Sequence, residues 1–225
     1  YSDNQGYILL NWDSVSEFEC SVSDGGVTIT EYTGSGSEVV IPATIEGKPV
    51  VSIGAEAFYE CASLRSVTIP SSVTNIGDYA FGECRELREV KGGENLARVG
   101  YDAFYGTLFL YGADSWDEVY ENEDYENEYG LDLVYVGNFI VGKRGWLGEC
   151  GNEEYYDEDG NWIWEYDLEI REGTTGIADG LFEELPITSV TVPGSVKRIP
   201  EYAFAACCHL KNLILDEGIE EIGAC

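Results

Sequence analysis

The chain is short of positive charge. Of its 225 residues, 12 are Lys or Arg against 43 Asp or Glu, a formal net charge of -31. Nucleic acids and anionic membrane surfaces are held by clustered Lys and Arg, so both are excluded as partners. The balance favours solubility, and cations or basic patches on partners. Histidine is nearly missing: His209 stands alone. A Ser–His or Cys–His nucleophile needs a positioned imidazole, so that chemistry is not expected. His209 follows Cys207 and Cys208, yet no second Cys-x-x-Cys or His-x-x-His pair completes a zinc site. No apolar run approaches ~18 residues, so no helical membrane span is expected. Sequons, a phosphate-cradling glycine loop and a dinucleotide fingerprint are also missing. Among 43 carboxylates no pair selects itself for glycosidase chemistry. The expectation is a non-enzymatic chain without a cofactor.

What is present is a repeat. Ala-Phe recurs at Ala57-Phe58, Ala80-Phe81 and Ala103-Phe104, in steps of 23 residues, and again at Ala203-Phe204. A weaker copy, Leu181-Phe182, lies 22 residues before the last. A fixed period marks an array of stacked units in place of one central core. Each copy carries L-x-x-V-x-I, as in Leu64/Val67/Ile69, Ile187/Val190/Val192 and Leu210/Leu213/Leu215. Val67 and Ile69 alternate with Ser66 and Thr68, which is strand periodicity. Pro70 ends the strand because it lacks a ladder N–H. Val73 and Ile76 then point inward, Gly77 permits a tight turn, and Phe81, Cys84 and Leu87 close the coil. One coil cannot bury its apolar side alone, so neighbours must stack, with strands ~4.8 Å apart in a parallel sheet.

Residues 67–87 carry V-x-I-P-x-S-V-x-x-I-G-x-x-A-F-x-x-C-x-x-L throughout, and this resembles the BspA-like leucine-rich repeats of bacterial surface proteins. The resemblance spans about 37–110 and 167–225. It implies a leucine-rich-repeat solenoid, β-rich α/β, with a parallel sheet on the concave face, short helical turns and an N-terminal β-hairpin cap. It also implies secretion or surface display, with adhesion or recognition of a protein ligand such as host matrix or another cell-surface protein. Thr107 and Leu185 replace the repeat cysteine, Gly92 replaces an isoleucine and Ala178 replaces the IG glycine, which weakens the middle copies. The chain starts at Tyr1 and stops inside a repeat, as expected of a mature or trimmed fragment.

Seven cysteines suggest disulfides, but Cys61, Cys84 and Cys207 share one repeat position and read as small buried hydrophobes. Cys20 and Cys150 lie outside the repeat and are freer to pair.

From Phe104 to Phe182 is 78 residues, which leaves 55 beyond one repeat and places an insertion at about 111–166. It holds Trp116, Trp146, Trp162 and Trp164, and no repeat contains a tryptophan. Residues 114–130 are acidic and tyrosine-rich, the composition of a solvated loop or frayed helix. Gly137-Asn138 between β-rich runs predicts a hairpin, and Asp159-Gly160 a second turn whose outgoing strand runs into Leu168–Ile170. The tryptophans read either as the insertion's own small core or as a platform for glycan or protein. The acidic clusters, including Asp157 and Asp159, fit weak calcium binding or a plain solvated turn, since the EF-hand spacing fails.

The strand register assigns outward positions to Glu38, Val40, Ser66, Thr68, Glu89, Lys91, Asp167, Glu169, Ser189, Thr191, Asn212 and Ile214. They are mostly small and polar and carry no aromatic anchor. The chain thus divides into a β cap (1–36), repeats (37–110), an acidic aromatic insertion (111–166) and resumed repeats (167–225). Docking on the sheet face or on the insertion is the expected activity. A structural spacer and a carbohydrate-binding module are the alternatives.

Overall fold

A computed structural model describes residues 17–121, 131–144 and 165–224. The described residues begin with an antiparallel pair, β1 (Phe18–Ser23) and β2 (Gly26–Tyr32). Two parallel ladders then grow side by side. One contains β3 (Glu38–Val40), β6 (Ser66–Ile69) and β8 (Glu89–Gly92). The other continues from β2 through β5 (Lys48–Ile53) and β7 (Asn75–Ile76) to β9 (Arg98–Val99). β4 (Thr44–Ile45) folds back on β5, so the extra residues around Glu46–Pro49 become a small hairpin and leave the coil period intact.

Between the ladders lies the core. Leu64, Val67, Ile69, Val73, Ile76, Phe81, Cys84 and Leu87, all expected to point inward, are buried. The phenylalanines form one column. Phe58 and Phe81 stack at 4.9 Å between ring centroids, and Phe81 and Phe104 at 5.1 Å. That spacing is the inter-strand distance, so each ring sits on the next as a consequence of one coil per strand. Tyr32 stacks on Phe58 at 5.0 Å and seats the cap on this column.

The cysteine position does more than fill space. The Cys84 thiol donates to the Phe58 carbonyl one coil back (2.9 Å), and Cys207 does the same to Phe182 (3.0 Å). At Thr107, which stands where a cysteine was expected, the hydroxyl turns to its own coil. It donates to the Phe104 carbonyl (2.8 Å) and accepts from Leu110 N (3.3 Å). Thr107 is thereby the N-cap of α1 (Leu108–Tyr111), where the repeat gives way to helix. α2 (Trp116–Glu121) follows, with Ala113 buried between the two helices.

The hairpin expected at Gly137-Asn138 is β10 (Asp132–Val136) and β11 (Phe139–Arg144), with Val136 opposite Phe139. It is a layer of the solenoid itself. Val134, Val136, Phe139 and Val141 join the core of the first array, while Ile140 joins that of the second. Leu133 and Tyr135 pack against the second core as well. Alternate residues therefore serve two cores, and a strand buried on both faces reads as the near-continuous apolar run seen in the sequence. Arg144, at the end of β11, donates to the carbonyls of Phe109 (2.7 Å) and Leu110 at the end of α1.

The second array repeats the plan. β12 (Asp167–Glu169), β14 (Ser189–Val192) and β16 (Asn212–Leu215) form one ladder. β13 (Gly176–Ile177) pairs with β11, and β15 (Arg198–Ile199) with β17 (Glu221–Ile222). The Asp179 amide, just past β13, donates to the Val99 carbonyl (3.0 Å), which ties the second array to β9. Phe182 and Phe204 restart the ring column at 5.5 Å.

Candidate interaction surfaces

The outward strand positions come together as rows. In the first array Glu38, Ser66 and Glu89 are opposite one another, and so are Val40, Thr68 and Lys91. In the second, Asp167, Ser189 and Asn212 form one row and Glu169, Thr191 and Ile214 the next. Parallel in-register pairing makes this unavoidable, because residues one repeat apart occupy the same point of successive coils, whether the coil is of the common length or, as between Glu38 and Ser66, carries an extra hairpin. Ser66 donates to Glu89 (3.2 Å), and Lys91 pairs with Glu89 at 2.8 Å. This pair and the Ser66 hydroxyl hold the Glu89 carboxyl below the usual carboxylate range. The hairpin β10–β11 intervenes between the two arrays, so the rows are two blocks.

The insertion residues fare differently. Trp116 is half-buried: its indole N–H donates to the Arg85 carbonyl (2.9 Å), and its ring meets Tyr111 edge-on at 5.5 Å. Its indole N–H is thus spent on fastening α2 to the first array. Trp146, Trp162 and Trp164, with Asp157, Asp159 and the turn at Asp159-Gly160, lie outside the described residues. Cys150 does too, whereas Cys20 is a free thiol and Cys208 is disulfide-bonded. Among the described residues no group of three His, Cys, Asp or Glu side chains could hold a metal ion, and no helix is long and apolar enough to cross a membrane.

A cleft of about 380 Å³ opens at the joint of the arrays, lined by Arg98, Phe139, Thr175, Ser195, Lys197 and Arg198 among others. Three cations in so acidic a chain suggest an anion site, but each faces a carboxylate. Asp179 receives Arg98 (2.7 Å) and lies 3.7 Å from Arg198. Arg198 reaches Glu221 (3.3 Å) and Lys197 reaches Glu220 (3.5 Å). The cations are balanced, and the Arg98–Asp179 pair links the two arrays.

The strand-register reading passed over the tyrosines beside the Ala-Phe pairs. Tyr79 and Tyr202 precede the alanine, Tyr59 and Tyr105 follow the phenylalanine, and Tyr101 lies two before Ala103. Their recurrence in the repeat frame was the available signal. Tyr59 and Tyr101 are each 42% exposed, Tyr105 is 51% exposed and Tyr202 is 54% exposed.

None of the curated proteins matches this chain. Among solved structures, a leucine-rich repeat protein of T. pallidum is 26% identical, with 92% of this chain and 84% of that one covered and a TM-score of 0.48. A leucine-rich repeat protein from Bacteroides capillosus is 33% identical over 42% of this chain and 70% of its own, with a TM-score of 0.35. A leucine-rich cell surface protein from Faecalibacterium prausnitzii is 15% identical over 96% and 94%, with a TM-score of 0.25. Residues 37–121 and 166–225 match the BspA-type leucine-rich-repeat region in six copies. That match covers more than half of the residues, and the parallel ladders and stacked phenylalanine column are what its repeat predicts: the chain belongs to the BspA-type leucine-rich-repeat family.

Proposed function

We propose that the chain is a non-enzymatic recognition module of a bacterial surface or secreted protein, and that it docks a protein ligand on its strand rows. The observation that carries this reading is the pair of in-register polar rows, Glu38/Ser66/Glu89 with Thr68 and Lys91, and Asp167/Ser189/Asn212 with Glu169 and Thr191. A leucine-rich-repeat sheet offers many aligned side chains along one rigid surface, and solenoids bind along such surfaces. Docking of this kind makes and breaks no bond. Host matrix proteins and surface proteins of other cells are the ligand class we propose, and membership of the BspA-type family supports surface display.

The test is adhesion to immobilised matrix proteins and to whole bacteria. Replacing Ser66, Thr68 and Thr191 together by lysine puts bulk and charge on both blocks of rows without touching the core. Adhesion should fall by tenfold or more. Full adhesion of this folded variant would sink the reading and leave the chain as a spacer. Deleting 111–166 is not a usable control, because that removes the core layer β10–β11.

A further inference from the structure

The Ala-Phe turns of successive coils are joined by their own backbone ladder. Phe58 N donates to the Ala80 carbonyl and Phe81 N to the Ala103 carbonyl, both at 2.7 Å. Glu60 N reaches the Gly82 carbonyl (2.9 Å) and Glu83 N the Tyr105 carbonyl (2.7 Å). This ladder fixes a third side of the solenoid, apart from the two strand ladders. It sets Tyr59, Gly82 and Tyr105 in one column and Glu56, Tyr79 and Asp102 in the next.

Glycine at 82 lets the Tyr59 ring lie over the neighbouring coil, where a Cβ on Gly82 would come within 3.0 Å of it. Tyr79 and Tyr101 meet edge-on at 6.1 Å, and the Tyr79 hydroxyl donates to Asp102 (3.4 Å). Partial burial together with the Glu60, Glu83 and Glu56 carboxylates raises the Tyr59 phenol above its ordinary value. Burial and Asp102 do the same for Tyr79. The edge is thus a run of neutral phenol rings framed by carboxylates. The nearby cations are occupied: Arg85 pairs with Glu83 at 3.0 Å, and Lys143 donates to the Leu181 carbonyl (2.6 Å). Three rings about half exposed leave roughly 300 Å² of aromatic surface, the size of patch that on a monomer is often functional.

We propose that this tyrosine edge is a second docking surface, for an extended, Lys- or Arg-bearing segment of a protein partner. The occupant follows from charge complementarity. Aromatic faces attract ammonium and guanidinium groups. Glu56 and Glu60 are exposed beside them to pair with the same groups. An extended segment fits because Tyr59 and Tyr105 lie two coils apart, roughly 9–10 Å along the ladder, a distance spanned by about three residues of an extended strand. This inference rests on the chain being an interaction module, but it concerns a different face from the strand rows.

The probe is a labelled decapeptide of alternating Lys and Gly, followed by fluorescence anisotropy at ~150 mM salt, where surface charges farther apart than about 8 Å are screened. An alternating Glu-Gly decapeptide and a neutral oligosaccharide are the controls. Replacing Tyr59→Leu with Tyr105→Ser leaves the net charge unchanged and keeps an apolar cover over Gly82. It should weaken the Lys-Gly peptide by roughly five- to thirtyfold, two ring–cation contacts being lost. Replacing Glu38→Gln with Glu169→Gln on the strand rows should change binding less than twofold. If the tyrosine pair melts below the parent, Tyr105→Ser alone is compared, with a loss of about threefold expected. Smaller losses, losses matched by the strand-row pair, or preference for the oligosaccharide would overturn the proposal. Neutral strand-row substitutions here leave the matrix-adhesion reading to its own assay.

Discussion

Gly92 and Gly173 share a backbone φ of +82°, in the left-handed region, yet their surroundings are opposite. Nothing lies within 4 Å of a Cβ built on Gly173. A Cβ on Gly92 would overlap the backbone carbonyl of Ile69 in β6, one coil away. That carbonyl also accepts from Gly93 N at 3.3 Å. Alanine in the left-handed region costs about 1–2 kcal/mol, offset by about 0.4–1 kcal/mol from a stiffer unfolded chain. Gly173→Ala should therefore cost about 0.5–1 kcal/mol. Gly92→Ala carries the same term. To it are added a lost hydrogen bond, about 1 kcal/mol, and overpacking of about 1–3 kcal/mol. The expected difference between the two variants is about 2–4 kcal/mol. Urea unfolding followed by circular dichroism reads it as a shift in midpoint at constant slope. Equal destabilisation within about 0.5 kcal/mol would refute the close-approach argument. The left-handed backbone at 92, which would aim a Cβ at the Ile69 carbonyl, leaves no room for the isoleucine expected there.

Ile140→Ala should cost about 2–5 kcal/mol, since β11 is buried on both faces, whereas Val40→Ala on the outer strand face should stay within about 0.5 kcal/mol; thermal melts compare them. Thr107→Val keeps the shape but removes the cap of α1, and about 1 kcal/mol of stability with it. The Cys207 thiol is pushed up to about 11, by burial above all, from an ordinary 9.0. The folded state thus keeps a proton that the unfolded chain sheds. That contribution is whole below pH 9 and is lost as pH rises towards about 11. Melts of the parent and of Cys207→Ala from pH 8 to pH 11 should therefore converge as the pH rises; a constant gap would count against it. In the same range a thiol reagent should modify the folded chain at Cys20 before Cys84, whose hydrogen bond with the Cys61 thiol, together with burial, raises it far above the ordinary value.

The strand rows could be read from the sequence because a parallel ladder maps a 23-residue period straight into space. Once Val67 and Ile69 are inward, Ser66 and Thr68 have only the outer face, and each later copy repeats the assignment. The departures from the period were visible too, but their meaning was local. Thr107 reads as a weakened copy, and only its bonds to Phe104 and Leu110 make it the cap that starts a helix. Arg98 and Asp179 are 81 residues apart and carry no mutual signal in sequence, although they join the arrays.

The sequence by itself determined the coil: its period, its inward residues, its ring column and the turn at Gly137-Asn138. These are local rules repeated at a constant step, so each copy reports on every other. Only the tertiary structure decided the place of the hairpin and the bordering surfaces. Val134, Phe139 and Ile140 read as a strand from any side, but which core each residue enters depends on the coils above and below it. The tyrosines likewise form one edge only because the turns stack, since ladder hydrogen bonds bring Tyr59, Tyr79 and Tyr105 together from three different copies.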